Sequence, residues 1–465
     1  MFKKFLPWQL RKYFDMPRRV RKHELQSTLW YMPAIYILGA ILFAGVTLFL
    51  DLSVDISRFT PELMHASVQP TRLLVSSLIG GILTLSAFTL NSVLVVLTTF
   101  SGQFSPRMLL NFVADRTTQH FVGIFHGSFV YVLVTFLLLT SQSQENFVVI
   151  PAVTFALAFI TVMTFILFIN HATSWMQVHN IATNMKDESI SIVRTSLSDE
   201  LEEFRSEKPV HYDKDERENE TEAFALESGY IQLIDFRKMI KEAKKDNIMI
   251  QYHKKVGDYV LRGTSLFSFW GSGAKDVDVN KYHELLEIGY KETEIQDIKM
   301  GMTKLSEIGV KSLGNNDPKT AITIIHQMAD LLLEVEKDIT FTPYLADKEG
   351  QVRVVMESEN FGYYLYRGYG YIRHYAGENY LIISEIILAL SLVSQSISKD
   401  KLKEVWEFGK NTMDHIDEKL IYDLDRDYLL EKLYSLAYYT GHEEEFHKIE
   451  KRFGQSGDEG HKMEN

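Results

Sequence analysis

The chain has 465 residues, 46% of them hydrophobic and 24% charged, with a formal net charge of −12 and no cysteine. That length points to more than one domain, since a single core rarely grows past about 250–300 residues. A chain without cysteine has no disulfide scaffold, thiolate zinc site, catalytic cysteine or iron–sulfur cluster of its own; a membrane protein stays open, because a global average hides any partition along the chain.

The partition falls after Asn170. Residues 1–170 carry 12 Lys and Arg against 7 Asp and Glu, a net of +5, and the remainder carries 37 against 54, a net of −17. The leader, residues 1–29, holds Lys3, Lys4, Arg11, Lys12, Arg18, Arg19, Arg21 and Lys22. Trp8, Tyr13 and Phe14 are interleaved with these cations, as in a helix lying on an anionic leaflet, although a topology signal is the simpler role. Four apolar runs follow, near Trp30–Leu50, Leu73–Phe100, Phe121–Thr140 and Phe147–Asn170. Each supplies the roughly 20 apolar residues that a helix needs to cross hydrocarbon. The long leader and the lack of a small-residue cleavage site argue against a cleaved signal peptide. Lys and Arg gather in the leader and are absent from SQSQENF, between the third and fourth runs. This asymmetry places the amino terminus in the cytoplasm, and an even number of spans returns everything after Asn170 to the same side.

The second run is longer than a bilayer requires and rich in hydroxyls. Every seventh residue gives Ser77, Thr84, Asn91 and Thr98 on one helical face, with Gly81 between the first two. In hydrocarbon such a row must meet protein or water, because an unpaired polar group there costs several kcal/mol. Two readings stand: helix–helix packing through small and hydroxyl residues, with Ser and Thr also bonding their own backbone, and the lining of a pore in a symmetric oligomer. His126, beside Gly127 in the third run, is a further polar candidate within the membrane, as a proton or ion site or as a bond to a neighbouring helix. His171 and His179 lack a carboxylate at a metal-site spacing, so no metal is expected.

After the second run the chain reads SGQFSPRMLLNFVADRTTQHFVGIFHGSFVYVL from Ser101 to Leu133. The positions Gln103, Ser105, Pro106, Arg107, Asp115, Gln119, Phe125 and Tyr131 follow the pattern of the bacterial membrane proteins grouped as domain of unknown function 2254, which this chain resembles. The resemblance continues through GYIQLIDFRKMI from Gly229, VGDYVLRGTSL from Val256, QDIKMG from Gln296 and NNDPKTA from Asn315. It departs at Ser312 to Asn315, where the family reads Ala–Leu–Ser–Pro. The resemblance implies an architecture and a bacterial cytoplasmic membrane address, with no catalytic motif to transfer. Chemically, Ser105 and Pro106 suit a helix start, and Arg107 suits lipid headgroups, Asp115, or a charged ring at a cytoplasmic pore mouth.

Beyond Asn170 no Gly or Pro appears until Pro209, and Ile190, Val193, Leu197, Leu201 and Phe204 recur at helical steps. A stalk over 171–204 is expected to continue the fourth span, followed by a charged linker at 205–222. Residues 223–275 alternate short β-prone runs with one helix and carry a Val256–Val260 turn similar to those of biotinyl and lipoyl carrier domains, which suggests a small β-barrel-like module. Lys254 and Lys255 lie on its strand side, away from a carrier tip, so no prosthetic group is expected. Residues 276–465 read as mainly helical, with Asp317 and Pro318 opening a helix, a hairpin near Asp347–Met356, and the aromatic run YYLYRGYGYIRHY at Tyr363–Tyr375. The acidic balance disfavours nucleic acid as a partner of that run.

The expected fold class is therefore an α-helical polytopic membrane domain of four transmembrane helices over 30–170, followed by a mixed α+β, mainly helical cytoplasmic domain. No nucleophile–base set, phosphate loop or metal motif is present, so no cofactor and no enzyme activity are expected. The leading functional expectation is a homo-oligomeric ion channel passing monovalent or divalent ions. The alternative is a membrane-anchored sensor or scaffold.

Overall fold

The computed structural model describes all residues except 1–20, 22–24, 26–27, 55, 63–64, 104–111, 113–114, 140–145, 195–200, 208–216, 218–219, 293–297, 358, 417–421 and 461–465. It divides into two compact units, Met1–Asn180 and Ile181–Asn465.

The first unit is built on α1 (Tyr31–Phe49), α2 (Val68–Gln103), α3 (Arg116–Leu139) and α4 (Val149–Trp175). All four are long and apolar enough to cross a membrane. A short antiparallel pair, β1 (Ala66–Ser67) with β2 (Asn146–Phe147), joins the start of α2 to the start of α4. Half of the most apolar stretch of α3 is buried against 22% in each other span, so α3 is the central helix of a single chain. It packs most closely on α1. Gly123 and Gly127 allow this: a Cβ on Gly123 would come within 2.5 Å of the Tyr36 ring, and one on Gly127 within 3.2 Å of the Tyr36 carbonyl oxygen. Small residues four apart let two helix backbones approach where hydrocarbon supplies no hydrophobic drive between them. Around this contact the core collects Ala44, Leu48, Val75, Ile82, Val132 and Phe147, while Leu38, Leu42, Leu73, Phe155 and Phe159 remain exposed, as lipid-facing side chains do.

The helix of the fourth span does not run on as the glycine-free sequence suggests. It ends at Trp175, and α5 starts afresh at Val178 and runs to Ile192. Asn180 ties the break: its Nδ2 donates to the Ser174 carbonyl at 3.1 Å and to Ser174 Oγ at 3.0 Å. A side-chain amide thus takes up a backbone acceptor that a continuous helix would have used. Val193, Leu201 and Phe204 are buried in the second unit, and Leu197 lies outside the described residues.

In the second unit, β3 (Thr221–Phe224), β4 (Gly229–Ile234), α6 (Phe236–Lys245), β5 (Met249–Tyr252), β6 (Tyr259–Val260), β7 (Ser265–Trp270), α7 (Val279–His283) and β8 (Leu286–Gly289) come in quick succession. The expected barrel-like module is not formed. Consecutive strands β3 and β4 enter different sheets, and the sheet orders are β3-β7-β5-β10-β9 and β6-β4-β8, both open, where β9 is Tyr344–Ala346 and β10 is Val352–Val355. A barrel needs every strand paired on both sides; here β10, brought from about a hundred residues downstream, takes the place beside β5 in a parallel pair. Asp235 caps α6 by accepting from Lys238 N at 3.1 Å, and the helix buries Phe236, Met239, Ile240 and Ala243 in the core with Ile234, Tyr252 and Phe267. Near the Val256–Val260 turn, Lys255 Nζ lies 3.4 Å from Glu359 and 4.8 Å from the Tyr363 ring centre, so the structure engages it in an ion pair and a cation–π contact.

The remaining helices are α8 (Ile298–Gly314), α9 (Pro318–Asp338), α10 (Phe361–Ala376), α11 (Tyr380–Ser394), α12 (Leu402–Met413), α13 (Asp423–Thr440) and α14 (Glu443–Gly460). They stack as two layers, α8, α10 and α12 in one and α9, α11 and α13 in the other, the arrangement of stacked helix pairs in α-solenoids. Asp317 caps α9 through Thr320 N at 3.1 Å, and Ala321, Ile324, Ile325, Met328 and Leu332 are buried as their spacing predicts. One face of the tyrosine run is core material, while Tyr366, Tyr371 and Tyr375 stay exposed. Tyr364 and Tyr369 are buried, and the Tyr369 hydroxyl donates to the Ile325 carbonyl at 3.0 Å.

Candidate functional site

The polar row of α2 is left exposed in the single chain, and Thr84 also lines a groove shared with α4. Ser77, Thr84, Asn91 and Thr98 are all exposed in the single chain, while Val75, Ile82, Thr89, Val93 and Val96 on the other side are buried. Two of the four are partly self-satisfied: Thr84 Oγ1 donates to the Gly80 carbonyl at 2.8 Å and Thr98 Oγ1 to the Val95 carbonyl at 2.9 Å. The Asn91 amide has no such partner among the described residues, and an amide has more donors and acceptors than one helix can serve. Gly80 and Gly81 lie beside the row, with no atom within 4 Å of where a Cβ would stand. They open onto a largely apolar groove of about 630 Å³ between α2 and α4, with Phe88, Thr161 and Phe165 along it. Thr161 Oγ1 bonds its own helix at Leu157, which keeps the groove apolar.

Of the residues expected near the cytoplasmic mouth, Ser105 and Arg107 lie outside the described residues. Asp115 stands at the start of α3. Its Oδ2 accepts from Thr118 N at 2.8 Å and lies 3.1 Å from His171 Nε2 at the far end of α4, while Thr118 Oγ1 is 3.0 Å from the same nitrogen. Burial raises the Asp115 carboxyl, but the bonds from His171 and the Thr118 backbone outweigh it and hold the group below the ordinary aspartate value. Phe112, Phe121 and Trp175 box the His171 ring at 5.6–6.3 Å. The cluster thus ties the start of the third span to the end of the fourth. His126 bonds its own helix, Nδ1 to the Val122 carbonyl at 2.8 Å. Among the described residues no group of three or more His, Asp or Glu could hold a metal.

Asp51 belongs to no motif of the sequence. In the structure it is 1% exposed at the end of α1, where a short π-helix covers Leu50–Val54. Its Oδ1 accepts from Val149 N at 2.9 Å and Val148 N at 3.3 Å, and its Oδ2 from Ile150 N at 2.8 Å. A carboxylate from the first span thereby caps the positive end of the fourth. The available signal was an acidic residue directly abutting an apolar run in a chain whose fourth span starts, at Val148, without a capping side chain. Next to it a polar interior continues with Tyr131, whose hydroxyl donates to Thr47 Oγ1 at 3.2 Å.

Glu287 of the second unit is displaced across an accessible pH range. Burial first, then the charge of Glu227, pushes the Glu287 carboxyl on β8 up to about 7, from an ordinary 4.5. The folded protein therefore holds a proton that the unfolded chain releases, and stability should fall as pH rises from about 4.5 to 7. Glu287→Gln is expected to flatten the melting temperature across that interval, as scanning fluorimetry in detergent would show. An unchanged slope in the variant would count against this assignment.

Four membrane-crossing helices followed by a separately packed, mainly helical unit with open sheets define an integral membrane protein. The chain belongs to the family described as predicted membrane protein (DUF2254), which matches residues 26–391 and confirms the resemblance read from the motifs. An uncharacterized protein of Mycobacterium bovis and two of Mycobacterium tuberculosis strains are each 26% identical to it over 309 residues, 64% of this chain. The match spans 58% of the length of those relatives. No solved structure matches the chain.

Proposed function

We propose that this membrane protein assembles as a homo-oligomer in which copies of α2 surround an ion-conducting path. In this reading the protein sits in the inner membrane of a bacterium, with both termini in the cytoplasm, where the second unit assembles or gates the pore. The observation that supports it is the outward exposure of Ser77, Thr84, Asn91 and Thr98 on a helix of membrane-spanning length. Lipid offers these groups nothing, so a face like this calls for copies of itself around water. Gly80 and Gly81 permit the close approach that such an assembly needs. No catalytic step belongs to the proposal.

The test is flux of K⁺, Na⁺ and Cl⁻ from liposomes holding the purified protein. Wild type should conduct at least one ion, and Asn91→Leu should change that flux about tenfold or more while leaving the oligomer intact on a sizing column. Absence of flux for all three ions, and for Mg²⁺ and Ca²⁺ measured in the same way, would remove the channel reading. The sensor or scaffold reading has its own support: Thr84 and Thr98 already bond their own backbone, which lowers the polarity of the row. It expects a protein truncated after Leu201 to insert normally yet lose partner capture.

A further inference from the structure

The second unit carries a cavity of about 620 Å³ between the ends of α10 and α12, at the start of α11. That volume is within the range of small-molecule sites. Its central group is Arg373. The guanidinium lies 4.5 Å from the centre of the Phe408 ring, and Nη1 donates to Asn411 Oδ1 at 3.1 Å and to Thr412 Oγ1 at 3.2 Å. Stacking on one face and two bonds at one nitrogen hold the fork in place. The partners of the guanidinium are neutral: among the described residues no carboxylate forms an ion pair with Arg373, in a chain with 61 acidic and 49 basic residues. Among the described residues only Nη1 is bonded, and the Nε–Nη2 edge matches the two oxygens of a carboxylate or phosphate.

Glu378 also lines the cavity, so an anion must sit on the Arg373 side of it; the aromatic and imidazole groups there suit a flat, polar body attached to such an anion. Tyr366 and Tyr371 line the cavity and are 58% and 49% exposed. Gly370 leaves room for the Tyr366 ring to lie against the helix, since a Cβ there would come within 3.1 Å of it. His374 adds an exposed imidazole, and His415 is oriented by its Nδ1–H donating to the Asn411 carbonyl at 2.8 Å, leaving Nε2 to meet a ligand. Aromatic faces with a pre-set guanidinium recognise a planar group and its acidic substituent together.

We infer that this cavity binds a nucleotide-sized oxyanion bearing an aromatic or heterocyclic ring, with Arg373 taking the oxyanion and Tyr366 and Tyr371 the ring. The site stands independently of whether the spans conduct, and its test reads binding alone.

The experiment is calorimetric titration of the full-length protein in detergent with four probes. Adenosine monophosphate and benzoate carry both ring and anion, adenosine carries the ring alone, and inorganic phosphate the anion alone. At least one of the first two should bind saturably and about tenfold or more tighter than both single-feature probes; the pair itself distinguishes phosphate from carboxylate. Arg373→Gln should weaken that binding at least tenfold, and Arg367→Gln, on the same helix but stacked on Tyr363 at 5.2 Å, should leave it unchanged. Because Arg373 also ties α10 to α12, the double variant Tyr371→Ser, His374→Ala provides a second reading should Arg373→Gln not fold, and it too should weaken binding. The inference is overturned if neither adenosine monophosphate nor benzoate binds saturably, or if binding survives the folded Arg373 variant or the double variant.

Discussion

Asp51→Leu is expected to destabilise the membrane unit by about 3 kcal/mol, the scale for removing one member of a buried charged hydrogen-bonded set. The wild-type carboxylate accepts from three consecutive backbone N–H groups at the start of α4, all within 3.3 Å. Leucine leaves those donors without acceptors in a place that is 1% exposed, so water does not replace them. The positive end of a 27-residue helix also loses its counter-charge. Asp51→Asn keeps one acceptor oxygen and should cost about half as much, and the ratio of the two variants separates hydrogen bonding from charge. Titration of the solubilised protein with sodium dodecyl sulfate, followed by tryptophan fluorescence, measures both. Wild-type stability in Asp51→Leu would mean that α4 finds another cap.

Gly123→Ala is expected to cost about 2 kcal/mol by overpacking, and Gly123→Leu more. The added Cβ would stand 2.5 Å from Tyr36 Cδ2, so the ring must move. That ring is not free to do so, because its hydroxyl bonds His120 Nδ1 at 3.0 Å. Displacement therefore adds the loss of a hydrogen bond, worth about 1 kcal/mol net. Truncating the obstacle should rescue the variant: Tyr36→Ala with Gly123→Ala should be less destabilised than the sum of the two single changes. Additivity of the two costs would refute the contact. Gly127→Ala faces the Tyr36 carbonyl oxygen at a looser 3.2 Å and should cost less.

These two sites mark where sequence reasoning reached its limit. Hydropathy marks the third run as a span and the sequence sets Gly127 beside His126, yet nothing in the periodicity says that Tyr36 of another helix fills the space that Gly123 leaves. Asp51 was visible as a residue and invisible as a cap, because its three donors are nearly a hundred residues away. The polar row of α2 shows the opposite balance. Its residues could be picked out by heptad spacing, and what the spacing could not supply was the direction in which the row faces. In the second unit, Asp317 as a cap and the buried face behind it were legible because a cap and an amphipathic helix are both local patterns. The sheets were not, since β10 pairs with β5 across about a hundred residues and splits what the local pattern suggested was one module.

The amino-acid sequence by itself determined the division at Asn170 between a basic-flanked apolar part and an acidic part, the four spans, and the family to which the chain belongs. Each follows from quantities summed or ordered along the chain: charge, hydropathy over about 20 residues and the succession of short motifs. The tertiary structure alone decided that Asp51 closes α4, that His171 serves Asp115, that the row through Asn91 is exposed in the single chain, and that Arg373 is bonded to neutral partners. Those outcomes depend on which helix face meets which neighbour, and a helical repeat specifies a face without naming what lies against it.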